Sequence, residues 1–118
     1  MKTEYAVYEH LKHLGVPASL KGYKYLQLAV SLVLAEPDTM EAVTKALYPR
    51  VAQMCDSTTS RVERAIRHAI EYVFGNTDYD VLKKYFGNTV SIRAGKLTNA
   101  QFIAGLAEHI KMEVLKND

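Results

Sequence analysis

The chain has 118 residues, enough for one domain with its own hydrophobic core. Hydrophobic residues make up 48% of it, which argues against a disordered tail, and no apolar run approaches the roughly 20 residues of a spanning helix, which argues against a membrane protein. The net charge of +2 is too small to mark a nucleic-acid protein by itself, so the placement of the charges must decide.

Periodicity and punctuation predict an almost all-helical chain. The first helix runs from Thr3, its expected N-cap, to Leu14, with Val7, Tyr8, Leu11 and Leu14 at helical spacing and Gly15 and Pro17 as the stop. A second spans Lys21 to Ala35, turns Tyr23, Leu26, Val30 and Val33 inward, and has Pro37 beyond its end. A third starts near Thr39 and places Met40, Val43, Leu47 and Tyr48 on one face before Pro49. From Pro49 to Cys55 a short helix leads into the polar turn Asp56-Ser57-Thr58 and then into a longer helix reaching Phe74. Another short helix covers Asp78 to Phe86 and ends at Gly87. Gly87 to Leu97 reads as irregular, with Val90-Ser91-Ile92 extended. The last helix opens on Thr98-x-x-Gln101, a capping-box pattern, and continues with Phe102, Ile103, Leu106, Ile110 and Val114 as its apolar stripe. No repeat, linker or alternating βαβ pattern interrupts this order.

The segment 49–74 carries the chemistry. Wound at the helical period, Val62, Ala65, Ile66, Ala69, Ile70 and Val73 form one stripe of the longer helix. Ser60, Arg64, Arg67, His68 and Glu71 fall opposite, with Arg61 and Glu63 on the flanks. That is a helix with one face to bury and guanidinium groups on the other, the form of a helix-turn-helix recognition helix. Ala52 supplies the small residue expected where the paired helices cross, and Asp56 tolerates the left-handed conformation the turn demands. Ser57 is unusual, since the residue after such a turn is often apolar. Cys55, the one cysteine, excludes an intrachain disulfide, suits a reducing cytoplasm and is expected as a small buried hydrophobe. Nothing apolar follows the charged start Met1-Lys2-Thr3-Glu4, so no secretion signal is expected and the localisation reads as cytoplasmic.

Thr58–Glu71 (TTSRVERAIRHAIE) closely resembles the recognition helix of the sporulation stage-zero response regulator, the master regulator of endospore formation. Further blocks similar to that family's C-terminal effector domain are Gly15-Val16-Pro17-Ala18, Lys21-Gly22-Tyr23 with Tyr25-Leu26, and Leu47-Tyr48-Pro49. Phe86-Gly87 with Thr89-Val90-Ser91, and Thr98-Asn99 with Phe102-Ile103-Ala104, extend the resemblance over most of the chain. It implies an all-α, six-helix domain over residues 1–118 that contains a helix-turn-helix. It also implies a sequence-specific transcription factor domain, activating or repressing sporulation-initiation genes, that binds promoter boxes in double-stranded DNA as a homodimer on tandem boxes. In the family, phosphorylation of an attached receiver domain in a two-component phosphorelay controls the activity, and an RNA polymerase sigma factor is a partner through a segment matching Thr77 to Val90. No receiver-like stretch occurs in this sequence. The chain differs from the family at Ser57, at Leu97 (where proline is expected) and across Tyr72–Lys84.

The expected DNA-binding residues are Thr58, Thr59, Ser60, Arg61, Glu63, Arg64, Arg67, His68 and Lys96. Arg61 and Arg64 are the candidates for base contacts, since a guanidinium donates two parallel hydrogen bonds to guanine O6 and N7. The resemblance carries base contact onto the same positions. Glu63 has two readings, acceptance from a cytosine amino group or a capping box with Ser60. Arg67 and His68 lie further along, where phosphate contact is expected. Thr58, Thr59 and Ser60 sit at the helix start, where hydroxyls and unpaired N–H groups suit a phosphate oxygen, although capping accounts for at least one of them. Lys96 matches a basic family position, and Lys21 and Arg93 are weaker phosphate candidates. No cofactor is indicated. An enzyme finds little support: His10 and His13 have only Glu9 beside them and read as surface histidines, and no phosphate-binding glycine loop or catalytic carboxylate pair occurs. A helical protein-interaction module without DNA binding is the alternative.

Overall fold

The computed structural model describes residues 2–117, so Met1 and Asp118, the ends of the expected domain, lie outside the described residues. Every regular element among them is helical: α1 (Lys2–His13), α2 (Lys21–Ala35), α3 (Tyr48–Met54), α4 (Thr59–Asn76), α5 (Tyr79–Phe86), α6 (Val90–Arg93) and α7 (Asn99–Lys116). The all-α expectation holds, with seven α-helices where six were implied. α2 lies at the centre and packs against α1, α4 and α7, which is why it buries more than one face, through Leu26, Ala29, Val30 and Val33. The core joins these residues to Val7, Leu11 and Leu14 of α1, Val62, Ile66 and Ile70 of α4, and Phe102, Ile103, Leu106 and Ile110 of α7. No helix among the described residues is long and apolar enough to cross a membrane.

α1 ends as its sequence requires. Gly15 takes φ 81°, and the N–H groups of Gly15 and Val16 return to Lys12 and Leu11 at 2.9 and 3.0 Å, a Schellman ending with Val16 packed into the core beside Leu11. α7 begins as expected too. Thr98 Oγ1 accepts from Gln101 N–H at 3.0 Å while Gln101 Oε1 accepts from Thr98 N–H at 2.9 Å.

The expected third helix is not α-helical. Pro37–Ala42 forms a 3₁₀ segment and Val43–Leu47 a π-helical turn, in which Tyr48 N–H reaches back to Val43 O. Pro49 has no N–H to return to Lys45 and its ring crowds that carbonyl, so an α-ladder cannot run through this junction. The inward assignments survive the change of winding: Leu47 and Tyr48 are buried, and Met40 and Val43 pack half-buried against the core.

Val90-Ser91-Ile92 is also helical rather than extended. Thr89 caps the turn by accepting from Ile92 N–H at 3.2 Å, and the short helix sends Ile92 into the core while Val90 stays exposed. Cys55 is half-buried rather than fully buried, because it is the C-cap of α3 and its place on the helix end leaves it partly open. Tyr8 and Tyr23 also stop short of the interior, with their rings 6.0 Å apart at the centroids along the α1–α2 seam.

Candidate nucleic-acid interface

The site is built on the junction of α3 and α4. Tyr48 and Val51 anchor α3, and the buried Ala52 keeps its side small where α4 crosses. After Cys55, Asp56 adopts φ 50°, the one positive φ outside glycine among the described residues. Asp56 N–H returns to Gln53 O at 3.4 Å and Ser57 N–H to Ala52 O at 2.8 Å, so the turn is a Schellman ending with aspartate in the usual glycine place. Ser57 now has a physical reason. Its Oγ accepts from the Tyr25 hydroxyl at 3.1 Å, so the position contacts α2 through a hydrogen bond where an apolar residue would have packed.

Thr58 is the N-cap of α4, extended in backbone, and its Oγ1 accepts from Arg61 N–H at 3.2 Å. The cap therefore belongs to Thr58, and the Ser60–Glu63 capping box does not form; Glu63 is exposed. Thr59 is half-buried and Ser60 exposed, and their N–H groups precede the first residue able to find a helical acceptor. Val62, Ile66, Ala69, Ile70 and Val73 are buried, with Ala65 half-buried, matching the expected stripe.

Opposite the stripe, Arg61, Arg64 and His68 are exposed, and none has a carboxylate within ion-pair distance among the described residues. With Ser19 from the turn before α2 and Lys21 from its first turn they line one groove along α4. Lys96 borders a second depression, next to Arg67 and Glu71 on the same helix. The fold thus gathers Lys21, Arg61, Arg64, His68 and Lys96 around one helix from three parts of the chain. Arg93 is placed elsewhere, on α6, where its guanidinium donates to Asn88 O at 3.2 Å.

Arg67 departs from the expectation of a freely exposed cation. Its Nη1 donates to the Leu97 carbonyl at 2.7 Å, its Nε lies 4.0 Å from Glu71 Oε2, and the side chain is about two-fifths exposed. A helical wheel cannot find this partner, because Leu97 sits in the loop before α7. Asn99 makes a similar tie that the sequence reading missed. Buried under the face, it donates from Nδ2 to the Glu63 carbonyl at 3.0 Å, in the second turn of α4. α4 is thus braced from α7 and its preceding loop at two points.

The chain matches, over residues 7–110, the family described as "Sporulation initiation factor Spo0A C terminal". It belongs to that family. Membership makes this a DNA-binding regulatory domain of sporulation initiation, of the response-regulator kind, rather than an enzyme. The matched span takes in everything from the last two turns of α1 through most of α7, so the α3–α4 junction and the helices that brace it fall inside it.

His10 also differs from its sequence reading as a surface residue. Its Nδ1 lies 2.6 Å from the Tyr85 hydroxyl and its Nε2 3.0 Å from Glu113, so its partners come from α5 and α7 and not from His13.

Proposed function

We propose that the exposed face of α4 enters the major groove of promoter DNA, with Arg61 and Arg64 reading base edges. The observation that supports this most directly is that both guanidiniums stand unpaired on the outer face of a helix whose start is fixed by a cap and a tight turn. Each bidentate contact to guanine is worth about 1–3 kcal/mol of discrimination. Glu63 accepts from a cytosine amino group in this reading. Ser60, with the backbone N–H groups of Thr59 and Ser60, meets a phosphate at the helix start, while Thr58 holds that start in shape. His68, Lys96 and Lys21 contribute phosphate contacts, which set register and add salt-dependent affinity without specifying sequence. Arg67 acts by positioning, holding the Lys96 loop against α4.

The same reading includes control by phosphorylation of an attached receiver domain, pairing of two copies on tandem boxes, contact with a sigma factor through the α5 region, and a cytoplasmic setting. Pairing on adjacent boxes raises affinity through effective concentration.

The test is a fluorescence titration of the domain against a duplex carrying the family's promoter box and a scrambled duplex, each at two salt concentrations. Preference for the box that persists at the higher salt, and that Arg61→Ala or Arg64→Ala relaxes, is the expected result. Equal binding to both duplexes that salt erases would overturn base reading by α4. No binding to either would favour a module that engages protein instead.

A further inference from the structure

The two ends of the fold meet in a polar cluster that DNA binding does not use. His10 on α1 is largely buried, and its Nε2 stands 3.0 Å from Glu113 Oε2 on α7. His109, one helical turn before Glu113, places its Nε2 3.9 Å from the same oxygen. The three potential donor atoms all lie within 4.8 Å of one another. We propose that His10, His109 and Glu113 form a binding site for a divalent transition-metal ion of the zinc type, with water completing the coordination.

The geometry fits that class of ion. With bonds of about 2.0–2.1 Å, a tetrahedral site separates its ligand atoms by roughly 3.3 Å. The two nitrogen–oxygen separations of 3.0 and 3.9 Å bracket that value, and the widest pair of donors, within 4.8 Å, must close toward it as the ion binds. Two imidazoles and one carboxylate are the donor set of zinc and its late first-row neighbours, while calcium and magnesium prefer oxygen throughout. His109 and Glu113 sit four residues apart on α7 and so share one face, and His10 approaches from the facing helix. The first coordination shell is also oriented from behind. The Tyr85 hydroxyl lies 2.6 Å from His10 Nδ1, so when Nε2 coordinates, Nδ1–H donates to the tyrosine oxygen. The His10 and His109 rings meet edge to face at 5.2 Å between centroids, and Tyr85 lies 4.3 Å from His109, which limits how far either imidazole can swing away.

A metal here links α1 to α7 directly and α5 through Tyr85, closing a loop that spans most of the chain. Its effect is on the folded state: a ligand that binds only the native form raises stability by mass action. On its own helix His10 has only Glu9 and His13 nearby as potential ligands, whereas the His109-x-x-x-Glu113 spacing on α7 carries the recognisable signal of the site.

The experiment uses the untagged chain stripped with a chelator. Cobalt(II) is titrated in as a spectroscopic probe and displaced with zinc(II), and thermal unfolding is followed with zinc(II) and with chelator. The expected result is one equivalent of cobalt with the intense visible bands of a low-coordinate site, displacement by zinc, and a melting temperature raised by zinc. Glu113→Gln and His109→Gln each weaken binding by at least roughly tenfold. Glu9→Gln and His13→Gln bind as the parent does. Glu113 is about half exposed, so Glu113→Gln is expected to fold, and its melting in chelator verifies this. Octahedral-type cobalt spectra alone, unchanged affinity in Glu113→Gln, or equal losses in His13→Gln would each overturn the site.

Discussion

Two glycine-to-alanine substitutions in helices are expected to have opposite signs. Gly22 lies in the first turn of α2, buried where α2 crosses α4. A Cβ built there overlaps the Ala65 carbonyl oxygen and comes within 2.8 Å of the Ala69 methyl and 3.0 Å of the Ala65 carbonyl carbon. Unstrained carbon contacts need about 3.5–4.0 Å, so the helices must separate by something on the order of 1 Å. No rotamer change relieves this, because the obstacle is the backbone of α4 and a side chain that is only a methyl. Overpacking of this kind costs about 1–3 kcal/mol, against a helix-propensity gain of at most about 1 kcal/mol. Gly22→Ala therefore loses up to about 2 kcal/mol of stability after the full propensity gain is set against the overpacking. Gly75, near the end of α4, has nothing within 4 Å of its added Cβ, so Gly75→Ala keeps only the propensity gain and is more stable by roughly 0.5–1 kcal/mol. Urea unfolding followed by circular dichroism measures both, with unchanged slopes as the check that the surface exposed on unfolding is the same. A Gly22→Ala protein stabilised like Gly75→Ala would refute the close crossing. The same displacement carries Arg61 and Arg64 away from Lys21, so Gly22→Ala also weakens box binding under conditions where it is fully folded, and Gly75→Ala does not.

Asp56→Val costs about 1–2 kcal/mol because a β-branched residue is strained at φ 50°, whereas Asp56→Gly stays within about 1 kcal/mol of the parent; urea midpoints compare the two. Thr98→Ala removes the bond that the threonine Oγ1 accepts from Gln101 N–H, while the backbone N–H of residue 98 can still donate to Gln101 Oε1, and it lowers stability by about 0.5–2 kcal/mol in the same assay. Arg67→Met keeps most of the side-chain bulk but breaks the bond to Leu97, so it weakens binding to box and scrambled duplexes alike and speeds amide exchange in the loop that carries Lys96. Burial raises the Tyr48 hydroxyl pKa above its ordinary value of 10.0, so the unfolded chain ionises first and stability falls as pH rises through that value. Tyr48→Phe reduces this alkaline loss in urea midpoints measured from pH 9 upward.

What the sequence made legible was local. The bounds of α2, the Gly15 stop, the Thr98 cap and the tolerance of Asp56 for a left-handed turn all follow from residues within one turn of the feature they control. The π-helical turn was hidden, since Met40, Val43 and Leu47 keep an inward-facing pattern under either winding and only the missing N–H of Pro49 separates the two. Residues that act across the fold were hidden more deeply. Arg67 shares its helical face with Arg64, yet Leu97 takes up its guanidinium; His10 sits beside His13, yet answers to Tyr85 and Glu113. The consequence for the candidate interface is physical. In the proposed reading Arg61 and Arg64 read base edges; both are exposed and unpaired among the described residues, and an unpaired residue is described by its own helix alone. Their precision is set elsewhere, by Gly22 admitting α4 close to α2, by Asn99 holding the Glu63 carbonyl, and by Arg67 holding the loop. A base contact tolerates little misplacement, so the substitutions that most disturb specificity include some at these buried supports as well as at the arginines themselves.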